Sequence, residues 1–142
     1  MAMVRESNAR NRSVALTTLA AWLMALAFAI STVHEVYRAI AKAGVSQYDS
    51  LQAVATRTIP FYLGAMVVVI ATGFRVSGAA WAALALAVAM LFISAFYYNP
   101  TVMAARQPGR IDWAEGAVFT GLLSASGVLL AAHVARMTLA SQ

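Results

Sequence analysis

"SVALTTLAAWLMALAFAISTV", residues 13–33, runs for twenty-one residues without a single charged side chain. At 1.5 Å per residue a helix of that length covers about 30 Å, the depth of a bilayer's hydrocarbon core. Three more stretches read the same way, Thr58–Phe74, Ser77–Tyr98 and Ala114–Val134. The expected fold is therefore all-α and integral to a membrane: a bundle of four transmembrane helices, forming one unit over residues 1–142.

Composition agrees with that reading. Of 142 residues, 62% are hydrophobic and 11% charged, against about 25% charged in an ordinary soluble domain. The formal charge of +5 would suggest nucleic acid in a soluble chain. Here the Lys and Arg residues cluster at the ends of apolar stretches, where they anchor to lipid headgroups, so the bilayer is the expected partner and nucleic acid is not. With no Cys, disulfides, thiol chemistry and thiolate metal sites are excluded.

Arg5, Arg10 and Arg12 ahead of the first apolar run imitate a secretory signal. The run extends to Val33, beyond the usual signal core of about 7–15 residues, so an uncleaved first helix is expected. Nothing breaks its helical pattern before Gly44, a natural C-cap. A helix from Ser13 to Ala43 would measure roughly 46 Å, and its last turns, "HEVYRAIAKA", would project beyond the core. Residues 45–57 form a polar connection in which Ser46 or Asp49 caps a short interfacial helix. Pro60 suits the first turn of the second helix. "GFRVSG", 73–78, is a tight turn that makes the second and third helices an antiparallel hairpin. Asn99-Pro100 is expected to end the third helix, because proline disfavours helical geometry at the preceding residue. Asp112-Trp113-Ala114-Glu115 matches a capping box for the fourth, with acids at its positive end.

Small residues recur at spacing four, Ala79, Ala83 and Ala87 in the third helix and Ala117, Gly121 and Ala125 in the fourth. Such faces let helices approach closely in lipid, which suggests a homo-oligomer or association with other membrane subunits. Four spans put the 34–57 and 99–113 connections on one side. Lys and Arg divide evenly between the sides, and the cluster of three before the first helix favours cytoplasmic termini, as in a bacterial inner membrane.

The remaining chemistry is lopsided. Tyr37, Tyr48, Tyr62, Tyr97 and Tyr98, Asp49, Asp112, Glu115, His34, Glu35 and Trp113 all fall at the loop side. Anchoring aromatics and capping acids explain part of this, yet an aromatic belt belongs at both interfaces. The candidate acid–base groups are His34, Glu35, Tyr97, Asp112 and Glu115, since a His beside carboxylates can move protons. Arg38, Tyr62, Tyr98, Asn99 and Trp113 are the candidate ligand-binding groups. "HEVYR" lacks the second His of a zinc-protease motif, and His34 at the loop side and His133 at the terminal side are expected to be separated by most of the bilayer. No metal or cofactor is expected.

Two functions remain in view: an oligomeric or accessory membrane subunit that binds a lipophilic small molecule, and a cofactor-independent membrane enzyme acting on one. A transporter would have to conduct between subunits, because no charge interrupts the apolar stretches at mid-depth.

Overall fold

The computed structural model describes residues 2–46, 48–106 and 108–140, with side chains described between residues 14 and 139. The basic cluster Arg5, Arg10 and Arg12 thus lies outside the described side chains. All regular structure among the described residues is helical, in four long helices: α1 (Ala2–Ala41), α2 (Leu51–Gly73), α3 (Ala79–Arg106) and α4 (Arg110–Ala140). Each is long and apolar enough to cross a membrane.

Neighbours in space are α1 with α4, α1 with α2, α3 with α4 and α2 with α3, so the helices close into a four-sided ring. Its core is made of Ala20, Met24, Ala27, Phe28, Val69, Ala83, Ala87, Leu123 and Leu130. The outside carries Leu19, Leu26, Val67, Ile70, Val88, Phe92 and Val128. An outer surface as apolar as the core is what lipid as solvent demands. Ser126, fully buried on α4, donates to the Ala20 carbonyl of α1 at 3.0 Å, a polar tie inside the apolar layer.

The turn after α2 has a clear cause. Val76 N–H donates to Ala71 O and Arg75 N–H to Thr72 O, the paired bonds of a Schellman ending. Arg75 occupies its left-handed position at φ 59°, where glycine is usual, and Gly78 follows at φ 78°. The Thr72 hydroxyl lies 2.8 Å from Val68 O and 3.2 Å from Ala79 O, joining both helices of the hairpin.

Besides α1 starting at Ala2 rather than Ser13, helix boundaries depart from the sequence reading in three places, two of them at prolines. The 51–57 segment is no separate interfacial helix. It is capped by Ser50, whose hydroxyl accepts from Ala53 N–H at 3.1 Å, and runs straight into α2. Pro60 therefore lies well inside α2, just after a widened π turn over Val54–Thr58. Asn99-Pro100 likewise fails to end α3: residues Ser94–Met103 widen into a π-helical stretch and the helix continues to Arg106. Proline removes one N–H and its ring collides with the carbonyl four residues back. A wider turn moves that carbonyl aside, and hydroxyls take up bonding capacity nearby, Thr56 donating to Gln52 O and Thr101 to Tyr97 O.

The third departure is the start of α4, at Arg110 rather than Ala114. Asp112 does not precede the helix as a cap. It sits in the first turn, and its Oδ2 reaches back to accept from Gly109 N–H at 2.7 Å. The small-residue faces also behave differently from each other. Ala79, Ala83 and Ala87 are buried, whereas Ala117, Gly121 and Ala125 point outward; α4 turns Phe119, Leu123, Ser126 and Leu130 inward instead.

Candidate functional site

Ser31 stands three and four residues before His34 and Glu35, and Arg38 four and three residues after them, so the four share one side of α1. That face looks inward: Ser31, His34 and Arg38 are all buried, Arg38 to 3% exposure. Ionisable side chains buried within spans of this kind are costly, and their partners are the first thing to identify.

Arg38 is the hub. Its Nη1 donates to Glu35 Oε1 at 3.1 Å and to the Tyr98 hydroxyl of α3 at 2.8 Å. The same tyrosine donates to Glu35 Oε1 at 3.2 Å, closing a triangle between α1 and α3. Arg38 Nε stands 3.3 Å from Asp112 Oδ1, close enough for ion pairing but not aligned for a hydrogen bond, and Nη2 has no partner among the described residues. The Tyr48 ring lies 5.2 Å from the guanidinium carbon, giving Arg38 an aromatic face as well.

Asp112 joins this group to α4. Its Oδ1 lies 3.1 Å from His34 Nε2. With Asp112 ionised, Nε2 is the donor, which leaves Nδ1 as an acceptor that can take a second proton. Because Oδ2 is held by Gly109 N–H, both oxygens are committed and the imidazole is fixed. A carboxylate holding one nitrogen of a buried histidine is the arrangement that orients a general base.

Two spaces flank the cluster. An open groove of about 750 Å³ runs between α1 and α4, walled by Ala29, Ile30, Val33, Ile111, Ala114 and Val118, with His34, Tyr37 and Glu115 as its polar residues. Inside the bundle a pocket of about 90 Å³ is lined by residues of all four helices, among them Ser31, Glu35, Tyr62, Tyr98, Asn99 and Glu115. Glu115 borders both. Ser31 and Tyr62 meet at 3.0 Å between their hydroxyls, and the Tyr62 ring packs on Phe28 at 5.5 Å between centroids.

Of the candidate residues, His34, Glu35, Arg38, Tyr98 and Asp112 form one bonded cluster, and Tyr62, Asn99 and Glu115 line the pocket beside it. Tyr97 and Trp113 stand apart, 61% and 56% exposed on the outer surface. Ser31 joins these residues although its type alone does not mark it; the signal for it in the sequence is its spacing of four and seven from Glu35 and Arg38 along one helix face. Tyr48 is the other addition, its hydroxyl donating to Arg106 O at 2.7 Å beside an Arg106–Asp49 ion pair of 2.9 Å. His133 lines a separate pocket with Arg75 and Trp81 at the far end of the bundle. No group of three or more His, Asp or Glu positioned for a metal occurs among the described residues.

The chain matches no protein-family model, no curated protein and no solved structure.

Proposed function

We propose that the protein is a small polytopic membrane protein that binds a lipophilic molecule at its loop end, in a bacterial inner membrane with both termini cytoplasmic. The observation that carries this reading is the apolar groove between α1 and α4, whose walls include the polar groups of His34, Tyr37 and Glu115. Ligand sites combine apolar walls with a few convergent polar groups, and a groove of this kind, open along the helices, admits a molecule from the surrounding lipid. The outward stripe of Ala117, Gly121 and Ala125 on α4 supports assembly of the protein as a homo-oligomer or with other membrane subunits.

Native mass spectrometry after gentle extraction tests the binding function. The expected result is one small lipophilic molecule per protomer, lost in Ala114→Trp, whose indole fills the groove. A bare wild-type chain, or retention unaffected by the substitution, overturns it.

A second reading rests on the His34–Asp112 pair. An oriented imidazole on the groove wall is suited to proton abstraction from a bound lipophile, with Glu35, Tyr98 and Glu115 nearby. On this reading His34→Gln abolishes turnover of the bound molecule while leaving its retention intact. Conversion that proceeds unchanged in that variant removes the enzymatic role.

A further inference from the structure

A third space adjoins the groove. A pocket of about 390 Å³ at the loop end is lined by Arg38, Lys42, Tyr48, Gly109, Arg110 and Asp112, and it shares Tyr37 and Ile111 with the groove as common walls. Its charge is one-sided. Asp112 is its sole acid, and both oxygens of that acid are already engaged by His34, Arg38 and Gly109 N–H. Lys42 and Arg110 have no ion-pair partner among the described residues, and Arg38, buried to 3% exposure, keeps Nη2 unbonded. The wall formed by Gly109 to Asp112 is the first turn of the 31-residue helix α4. There the Gly109 N–H is taken by Asp112 Oδ2, the N–H groups that follow it lack acceptors within the helix backbone, and the macrodipole favours an anion.

Three cations, a helix start and an aromatic ring on one side, and an apolar trough on the other, describe an amphiphile with an anionic head. Resting on the lipophile-binding function above, we propose that the ligand is an anionic phospholipid, its phosphate seated against Arg38, Lys42, Arg110 and the start of α4, and an acyl chain laid along the groove. From Tyr37 to Ala29 the groove follows α1 for about 12 Å at 1.5 Å per residue, enough for the upper part of one chain. Arg38 lines the pocket, and a small shift of its guanidinium would bring the unbonded Nη2 to the phosphate, a bond that a neutral lipophile does not offer. A free phosphate compound meets the same cations and gains nothing from the apolar trough.

The test uses the full chain in detergent with three probes: phosphatidylglycerol, diacylglycerol of the same chains, and glycerol 3-phosphate, with retention read by native mass spectrometry. Phosphatidylglycerol is expected at one per protomer and about tenfold more tightly than diacylglycerol, the effect of one or two charge-assisted bonds. Lys42→Gln with Arg110→Gln, both exposed and outside the core, should reduce that preference to about twofold. Ala114→Trp should abolish binding of both lipids. Equal binding of the two lipids, unaffected by the double substitution, overturns the anionic head while leaving a lipophile site. Glycerol 3-phosphate binding as tightly as the lipid, with phosphatidylglycerol retained in Ala114→Trp, overturns the lipid as its source. Binding of none of the probes, together with a bare chain from the native membrane, removes both this assignment and the binding function.

Discussion

Asp112 and His34 lie 78 positions apart in the chain and 3.1 Å apart in space. The contact fastens the start of α4 to the inner face of α1, and Arg38 Nε, 3.3 Å from the same oxygen, makes the fastening ionic. Removing one member of a buried charged group leaves the other uncompensated. Asp112→Asn keeps the shape and deletes the charge beside buried Arg38, so a loss of about 3–5 kcal/mol is expected. Thermal unfolding in detergent measures it, and a melting temperature equal to wild type would show that Arg38 is adequately served by Glu35 alone.

Tyr98 and Glu35 are linked through Arg38 and directly, at 3.2 Å. Tyr98→Phe is expected to cost about 1–3 kcal/mol, since it leaves buried partners unsatisfied. Combined with Glu35→Gln the losses should fail to add, with a coupling of about 0.5–3 kcal/mol in a double-mutant cycle. Additive losses would mean that the triangle does not act as a unit.

The two faces of α4 predict opposite results for similar substitutions. A Cβ at Gly127 would meet Ala87 Cβ at 4.0 Å, whereas at Gly121 it meets nothing within 4 Å. Gly127→Leu should push α3 from α4 and destabilise the protomer by about 1–3 kcal/mol. Gly121→Leu should leave protomer melting within about 0.5 kcal/mol and change migration on a blue-native gel. Unchanged migration would argue against assembly through that stripe.

Arg75 holds the left-handed position of the hairpin turn at φ 59°. A non-glycine residue there is strained by about 1–2 kcal/mol, part of which glycine gives back through its freer unfolded chain. Arg75→Gly is therefore expected to stabilise by about 0.5–1 kcal/mol, read as a higher melting temperature. Destabilisation would reveal a structural task for the arginine side chain.

Uninterrupted apolar runs made the four helices legible, because in lipid the length of a span is dictated by the bilayer. Gly44 and the 73–78 turn were legible through backbone conformation, with Gly44 at φ 84° and Gly78 at φ 78°. The prolines are poor markers of helix ends here because the exclusion of proline belongs to α-helical turns, and the chain widens into π turns beside Pro60 and around Pro100. Asp112 and Glu115 misled because a D-x-x-E spacing is compatible with two positions relative to the helix start, and only the Gly109 contact distinguishes them. The polar face of α1 was visible in the spacing of His34, Glu35 and Arg38. Its partners were not, since nothing local in a sequence tells Tyr98 and Asp112 that they will face Arg38.

The widened stretch Ser94–Met103 makes α3 a helix with two phases. Each i to i+5 turn takes in more chain than an α turn, so the segment that packs Ala83 and Ala87 into the core and the segment that aims Tyr98 at Arg38 are not on one continuous stripe. Loss of a residue within 94–103 can be absorbed by tightening a turn, whereas the same loss within 80–92 rotates every later contact. Length variation among descendants of this chain should therefore concentrate beside the tyrosine, leaving the small-residue half of the helix at constant length.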